Sequence, residues 1–341
     1  MKIAIITPNW PCKSEVPILN QIIQLKKNGY NDLHFFAFDN NIEPNEAIPQ
    51  DFFEHDLLAN ITYLKQPSLG VKSNKVKSKL LLIVKALPYL FRTFLYSLQV
   101  FFKALFKKEY GEYRAAFKII YAVQNLLGKK YEFDIIHCHY APYGIWGAIL
   151  KDLGLLNGKL ITTFHGYGIN KRPKLKPAHY YDFLIKQSYL FTSNSNFTKS
   201  NAVTIGFPED RIHIIRVSLQ VNLYEFRARG FEKDKCFNIL TVAALRNVKG
   251  IQYTIKAIKI IIETNPNIKI LYQIIGEGYL KATLEKIIKE NELDNYVKLV
   301  GFVTHTELKK YYYDAHVFVL SSTITKTGNQ EAQGLVFQEA Q

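Results

Sequence analysis

Residues 237–276, FNILTVAALRNVKGIQYTIKAIKIIIETNPNIKILYQIIG, set two apolar runs of strand length on either side of a stretch with helical spacing. The runs do not alternate polar with apolar, as strands buried on both faces do not, and a helix between two such strands predicts a parallel sheet. The pattern continues with a helix over about 279–292, a strand in YVKLVGF, a helix over about 304–313 and a strand in HVFVLSS. Upstream, KIAIIT, LHFFAF, DIIHCH, KLITTF, YLFTSN and RIHII repeat it, separated by longer helical stretches. The alternation breaks after Phe226 at the charged, glycine-containing RARGFEKDK. The chain therefore reads as α/β with two Rossmann-like domains, 1–228 and 229–341. Open α/β sheets bind ligands beyond the carboxyl ends of their strands, so two such domains facing a cleft would place ligand loops on both sides of it.

With 341 residues, 48% of them hydrophobic, the chain can bury a large core, and length favours two domains. The opening MKIAIITPNWP has too short an apolar run for a signal peptide or a membrane span. Cys12, Cys138 and Cys236 lie far apart without zinc spacing and cannot all pair, which points to a reducing, cytoplasmic compartment. The net charge of +15 favours polyanionic partners: nucleic acid, anionic membrane or phosphorylated substrates.

Glu331 and Glu339, with seven residues between them in GNQEAQGLVFQEAQ, form a weak signal by spacing alone, since Glu46 with Glu54 and Glu277 with Glu285 share it. Only the last pair follows a buried strand and polar loop and brackets Gly334 ahead of an apparent helix. A helix start presents free N–H groups and partial positive charge to an anion, and a glycine lets phosphate approach the backbone. A carboxylate before that turn can meet sugar hydroxyls, while Glu339 on the helix can accept two hydrogen bonds from a ribose diol. The alternative is a solvated helix face with ordinary glutamates. Arg246 and Lys249, in TVAALRNVKGI, project from the end of the domain's first strand, where fixed cations stabilise a departing diphosphate. In a basic protein they also fit two plain surface cations.

The ordered set PCKSEVPILNQIIQL, DIIHCHYAPYGIWGAIL, TTFHGYG, TVAALRNVKGI, IIGEGYLKATLE, VKLVGFVTHTELKKYYYDAHVFVLSS and the Glu331–Glu339 segment resembles family 4 retaining glycosyltransferases of the GT-B fold. The likeness is to those of bacterial exopolysaccharide and colanic-acid-type synthesis, and it covers essentially the whole chain. The resemblance implies transfer of a hexosyl unit from a nucleotide diphosphate sugar to a glycan or polyprenyl-linked acceptor. It assigns the diphosphate to Arg246 and Lys249, the donor sugar to Glu331, the ribose to Glu339, and phosphate or sugar to the amides near Gly334, Leu335 and Val336. Phe302 and Val303 would lie against the base, and His165 close to the transferred sugar. A lone histidine is otherwise more often structural. Attack on the front face, with the leaving phosphate accepting the proton, is implied in place of a carboxylate nucleophile.

Departures are Pro17, where the family tends to carry an aromatic, and Gln220 and Asn222, where a glycine and an aspartate are usual. The first touches the acceptor-side loop with Ser14 and Glu15. The chain stops at Gln341 inside the helix bearing Glu339, so an incomplete C-terminal domain, a fragment, is expected. No Asp-x-Asp triplet occurs, and no metal or cofactor is expected. Two rivals stand beside this reading: a non-catalytic GT-B partner subunit, and a nucleic-acid-binding protein suggested by charge and tyrosine content. The second lacks any motif, and its aromatics fall in core patterns, so no nucleic acid is expected as partner.

From about Lys72 to Lys108 the chain is apolar but carries Lys85, Arg92 and Lys103, which fall nearly in line on a helical wheel with Tyr96, Gln99 and Lys107 beside them. This predicts a helical segment, divided in two by Pro88, that either packs on the sheet or rests peripherally on the anionic inner face of the cell membrane.

Overall fold

A computed structural model describes residues 1–341 apart from 12–15, 40–47, 49, 67–74, 172–175, 177–178, 218, 220–224, 228–235, 327, 329 and 332. The chain divides into two compact units, Met1–Arg216 and Val217–Gln341. This division lies upstream of the 228/229 boundary read from the sequence. The backbone of Val217 is held on both sides by the Gln333 amide, which accepts from its N–H at 3.3 Å and donates to its carbonyl at 2.7 Å. The charged break in composition after Phe226 therefore follows the structural division rather than marking it.

The elements of the first unit are, in order, β1 (Lys2–Asn9), α1 (Val16–Lys27), β2 (Asp32–Asp39), α2 (Gln50–Glu54), β3 (Ile61–Tyr63), α3 (Lys75–Tyr96), α4 (Leu98–Phe106) and α5 (Lys118–Ala122). After them come β4 (Tyr131–His139), α6 (Ala141–Asp152), β5 (Leu156–Phe164), α7 (Asp182–Gln187), β6 (Leu190–Ser193), α8 (Asn196–Thr204) and β7 (Ile212–Ile214). The strands form one parallel sheet in the order β3-β2-β1-β4-β5-β6-β7. At its centre β1 buries Ile3 through Ile6 without interruption, as a strand covered on both faces must. On one face Ile18, Leu19, Ile22 and Ile23 of α1 pack with Trp10 and Phe35, whose rings stack at 4.5 Å. The Trp10 indole N–H is satisfied by the Leu57 carbonyl at 2.9 Å.

The other face is covered by α6 and the helices from α3 to α5. Gly144 and Gly147, one helical turn apart, let α6 sit unusually close to the sheet. A Cβ at Gly144 would come within 2.6 Å of the Thr162 hydroxyl, and one at Gly147 within 2.5 Å of the Cys138 sulfur.

Contrary to the expected break, α3 runs through Pro88 and ends at Tyr96. Proline removes the amide that would pair with the Val84 carbonyl, and Val84 and Pro88 both lie on the exposed side, where solvent can take that amide's place. The break falls at Ser97, whose extended backbone and hydroxyl, accepting from the Val100 N–H, cap α4.

The second unit contains β8 (Phe237–Val242), α9 (Ile251–Thr264), β9 (Ile270–Ile275), α10 (Lys281–Glu290), β10 (Val297–Gly301), α11 (His305–Asp314), β11 (Val317–Phe318) and α12 (Leu335–Ala340). Its parallel sheet has the order β10-β9-β8-β11. Ile251, Ile255 and Ile258, at i, i+4 and i+7, bury the inner stripe of α9 against Ile239, Tyr272 and Ile274.

Candidate functional site

At the carboxyl edge of the second sheet the loops after β8, β9 and β11 are stitched together. Leu245 N–H donates to the Glu277 carbonyl at 2.9 Å, and Thr323 N–H to the Val248 carbonyl at 2.9 Å. The β8 loop closes through a 3₁₀ turn, Asn247–Lys249, into Gly250, which opens α9 with φ +66°. A Cβ there would stand 2.8 Å from the Ser321 carbonyl oxygen, so both conformation and space require glycine.

This closure puts Lys249 against the loop following β11, and its ammonium donates to the Glu331 carboxylate. Arg246, in extended conformation at the start of the same turn, remains exposed. Past Glu331, Gly334 caps the short α12, whose first residues Leu335 and Val336 are half-buried. Val303 is half-buried against the cluster of Leu240, Leu308 and Tyr312, while Phe302 beside it is exposed. The carboxylate of Glu339 meets none of the cations of the β8 loop. It accepts instead from the Tyr312 hydroxyl of α11 at 2.6 Å, beside a cavity also lined by Arg227, Lys309 and Tyr313. Of the four charged residues singled out by sequence, two are thus in direct contact.

In the first unit, His165 follows β5 and sits beneath Tyr140, ring centroids 4.7 Å apart. Its Nε2 lies 3.0 Å from Nδ1 of His139, the fully buried last residue of β4. His137, two residues earlier on the same face, meets the Thr163 hydroxyl at 2.7 Å, and Thr163 meets Thr192 at 2.6 Å. Burial lowers the pKa of His165 to about 3, with the nearby His137 adding to it, and lowers that of His137 to about 4; His139 is held well below the ordinary value by burial and by both neighbours. All three rings are neutral near pH 7. His139 Nε2 is buried without a partner, and an unpaired lone pair there costs less than an unpaired N–H. We therefore place the His139 proton on Nδ1, donated to His165, and the His165 proton on Nδ1. His139 escaped the sequence reading, although the alternation in HCH already puts both histidines on one face of a strand. Ser14 and Glu15, with Gln220 and Asn222, lie outside the described residues.

Two family models match the chain: Glycosyltransferase Family 4 over residues 89–217, and Glycosyl transferases group 1 over residues 224–341. The chain is a GT-B glycosyltransferase of family 4. This glycosyltransferase is 27% identical over 346 residues to the amylovoran biosynthesis glycosyltransferase AmsK of Erwinia amylovora. It is 25% identical over 344 residues to the putative colanic acid biosynthesis glycosyltransferase WcaL of Escherichia coli K12. Each alignment takes in 100% of the chain and 80% of the relative. Among solved structures, Anabaena Alr3699/HepE in complex with UDP and glucose superposes with a TM-score of 0.63 at 14% identity, over 100% of this chain and 78% of that one. Sucrose-phosphate synthase from Thermosynechococcus elongatus superposes with a TM-score of 0.59 at 16% identity, with the same coverage. Both parallel sheets of the family 4 enzyme are accounted for by this fold.

Proposed function

We propose that this glycosyltransferase moves a hexosyl unit from a nucleotide diphosphate sugar to a glycan or lipid-linked acceptor in cell-surface polysaccharide synthesis, retaining the anomeric configuration. The observation that carries this reading is the Lys249–Glu331 contact at the carboxyl edge of β8 and β11, with Arg246 exposed on the same loop. A carboxylate paired with one cation, with a second cation exposed on the same loop, matches a donor whose uncharged sugar adjoins an anionic diphosphate. The cited relatives are named for amylovoran and colanic acid synthesis, and Alr3699/HepE was solved with UDP, with UDP and glucose, and with UDP-glucose.

In the proposed reaction the acceptor oxygen bonds to the anomeric carbon from the face the diphosphate leaves. The bond from that carbon to the phosphate oxygen breaks, and the acceptor proton passes to the departing phosphate. Arg246 and Lys249 meet the charge that grows on the diphosphate, which stabilises the transition state more than the ground state. Glu331, already engaged by Lys249, positions the sugar and offsets its developing positive charge without acting as nucleophile. Glu339, oriented by Tyr312, keeps its second oxygen for the ribose. The amides at Gly334, Leu335 and Val336 receive phosphate or sugar, Val303 lines the base, and neutral His165, held by His139, donates to the sugar. Ser14 and Glu15 belong to the acceptor side.

The test is turnover with a panel of nucleotide sugars and a glycan or polyprenyl diphosphate acceptor, following release of nucleoside diphosphate and the product anomer by NMR. Inversion at the anomeric carbon would reject the retaining mechanism. Thermal stabilisation by a nucleotide sugar with no turnover on any acceptor would favour the partner-subunit reading.

A further inference from the structure

We propose that the outer face of α3 and α4 is a docking surface for an anionic lipid bilayer. Among the described residues, ten of the 26 exposed large apolar side chains fall between Ile83 and Phe106. Val84, Leu87, Phe91 and Leu95 recur every three to four residues along α3, and Leu98, Phe102 and Phe106 continue every four along α4. Phe91 and Phe106 are each 65% exposed. The rings form a chain across the break at Ser97: Phe94 to Phe101 at 5.4 Å, Phe101 to Phe102 at 5.5 Å, and Phe102 to Phe106 at 6.2 Å. A contiguous apolar surface of this kind is uncommon on a soluble monomer and marks an interaction site.

The inner face of the same helices is already committed. Ala86, Thr93, Val100 and Ala104 are buried, and the Gln124 amide donates to the Thr93 hydroxyl at 3.0 Å. The outer stripe is therefore surplus to the unit's own core.

Charge selects the partner. From Leu57 to Lys108 the chain holds ten lysines and arginines and no aspartate or glutamate. Exposed Lys85 and Arg92 flank the stripe on α3, and the Arg92 guanidinium stands 5.6 Å from the Tyr96 ring. This revises the cationic line read from the helical wheel. Lys103 donates to the Asp152 carbonyl at 2.6 Å, and Lys107 donates to the Asp152 carboxylate at 2.8 Å, so both are turned inward. Burial alone would raise the pKa of that carboxyl, but bonds from Lys107 and Tyr110 and the charges of Lys103 and Lys107 hold it below its usual range. Aromatic and aliphatic side chains flanked by exposed cations suit the boundary of acyl chains and anionic headgroups.

Pro88 has no amide to donate to the Val84 carbonyl, and both residues lie on this exposed side of α3, where water or a lipid headgroup can supply the donor. Among the described residues no helix is long and apolar enough to cross a membrane. The surface stands whether or not the acceptor is a lipid.

The experiment is co-sedimentation of the chain with vesicles of phosphatidylglycerol and phosphatidylethanolamine, with pure phosphatidylcholine vesicles as the uncharged control. The chain is expected to pellet with the anionic vesicles and to be partly released by salt. Phe91→Ser, Phe102→Ser and Phe106→Ser combined should lower the partition coefficient about ten-fold or more, and Lys85→Gln with Arg92→Gln should weaken binding to anionic vesicles only. Phe102→Trp keeps an aromatic at that site, and its fluorescence should be quenched by brominated acyl chains. Unchanged partition of the triple serine variant, or no quenching of the tryptophan, would overturn the proposal. So would a dimer of the parent chain that the triple variant dissolves, because the stripe would then be an interface between copies.

Discussion

The Lys249 ammonium donates to the Glu331 carboxylate across the ends of two neighbouring strands, β8 and β11. The two side chains retain only 19% and 27% of their exposure, so each is the main compensation for the other's lost hydration. Under the proposed donor site, a diphosphate arriving at Lys249 would compete with Glu331 and release the carboxylate toward whatever adjoins the phosphate.

Removing the lysine alone should therefore harm donor binding twice, by losing a cation and by leaving a bare carboxylate beside an anion. Lys249→Met is expected to weaken nucleotide-sugar affinity by about ten-fold or more. Lys249→Met with Glu331→Gln should recover part of that loss. Calorimetric titration of both variants checks the order; a double variant weaker than the single by the full Glu331→Gln increment would mean the two residues act independently.

Glu331→Ala should lower kcat by roughly 10²-fold or more, because a charge that faces the sugar matters most as positive character develops there. Glu339→Ala should mainly raise the donor KM, about ten-fold, since ribose contacts act alike in ground and transition states. Steady-state kinetics with donor varied separates the two; equal losses of kcat with unchanged KM would contradict the assignment.

Acid should unfold the first unit earlier than its carboxylates alone demand. His137 and His165 titrate near 4 and 3 in the fold, below the 6.5 of an unfolded histidine. Below pH 6.5 the unfolded chain binds more protons, so stability is full above that pH and falls as pH drops toward the folded values. The slope is up to about 1.4 kcal/mol per pH unit for each histidine. Urea unfolding between pH 7 and pH 5 should show this loss, and His137→Gln should reduce its steepness. The same shifts mean that protonation of His165 cannot supply a limb near pH 6.5 in the rate profile.

Gly250→Ala is expected to cost about 1–3 kcal/mol, from a left-handed conformation and a clash with the Ser321 carbonyl. Because the turn also carries Lys249, donor affinity should fall with stability. A variant that unfolds earlier in urea but binds donor normally would show that the turn does not set the lysine.

The sheets were legible because their strands are long apolar runs; the helices read at about 250–264 and 304–313 are observed at Ile251–Thr264 and His305–Asp314. Edge strand β3, three residues long, offered no periodicity to read. The inward turn of Lys103 and Lys107 depends on Asp152, distant in sequence and brought close only by α6. Pairing of Lys249 with Glu331 needed β8 and β11 to be neighbours, which strand order settles and local sequence does not. For the same reason Tyr312 could not be foreseen as the partner of Glu339.

Two missing methyl groups do the work of a gauge in the first unit. With only hydrogens at positions 144 and 147, α6 rests at a distance from β4 and β5 that no other residue permits, and its first turn begins at Tyr140, whose ring roofs His165. Saturation mutagenesis should therefore find these two positions as intolerant as the histidines themselves, even though glycine has no side chain to offer the imidazoles. The tolerance map of this protein would then outline a site much wider than its chemistry, extending through the back of a helix to the spacing that holds the front.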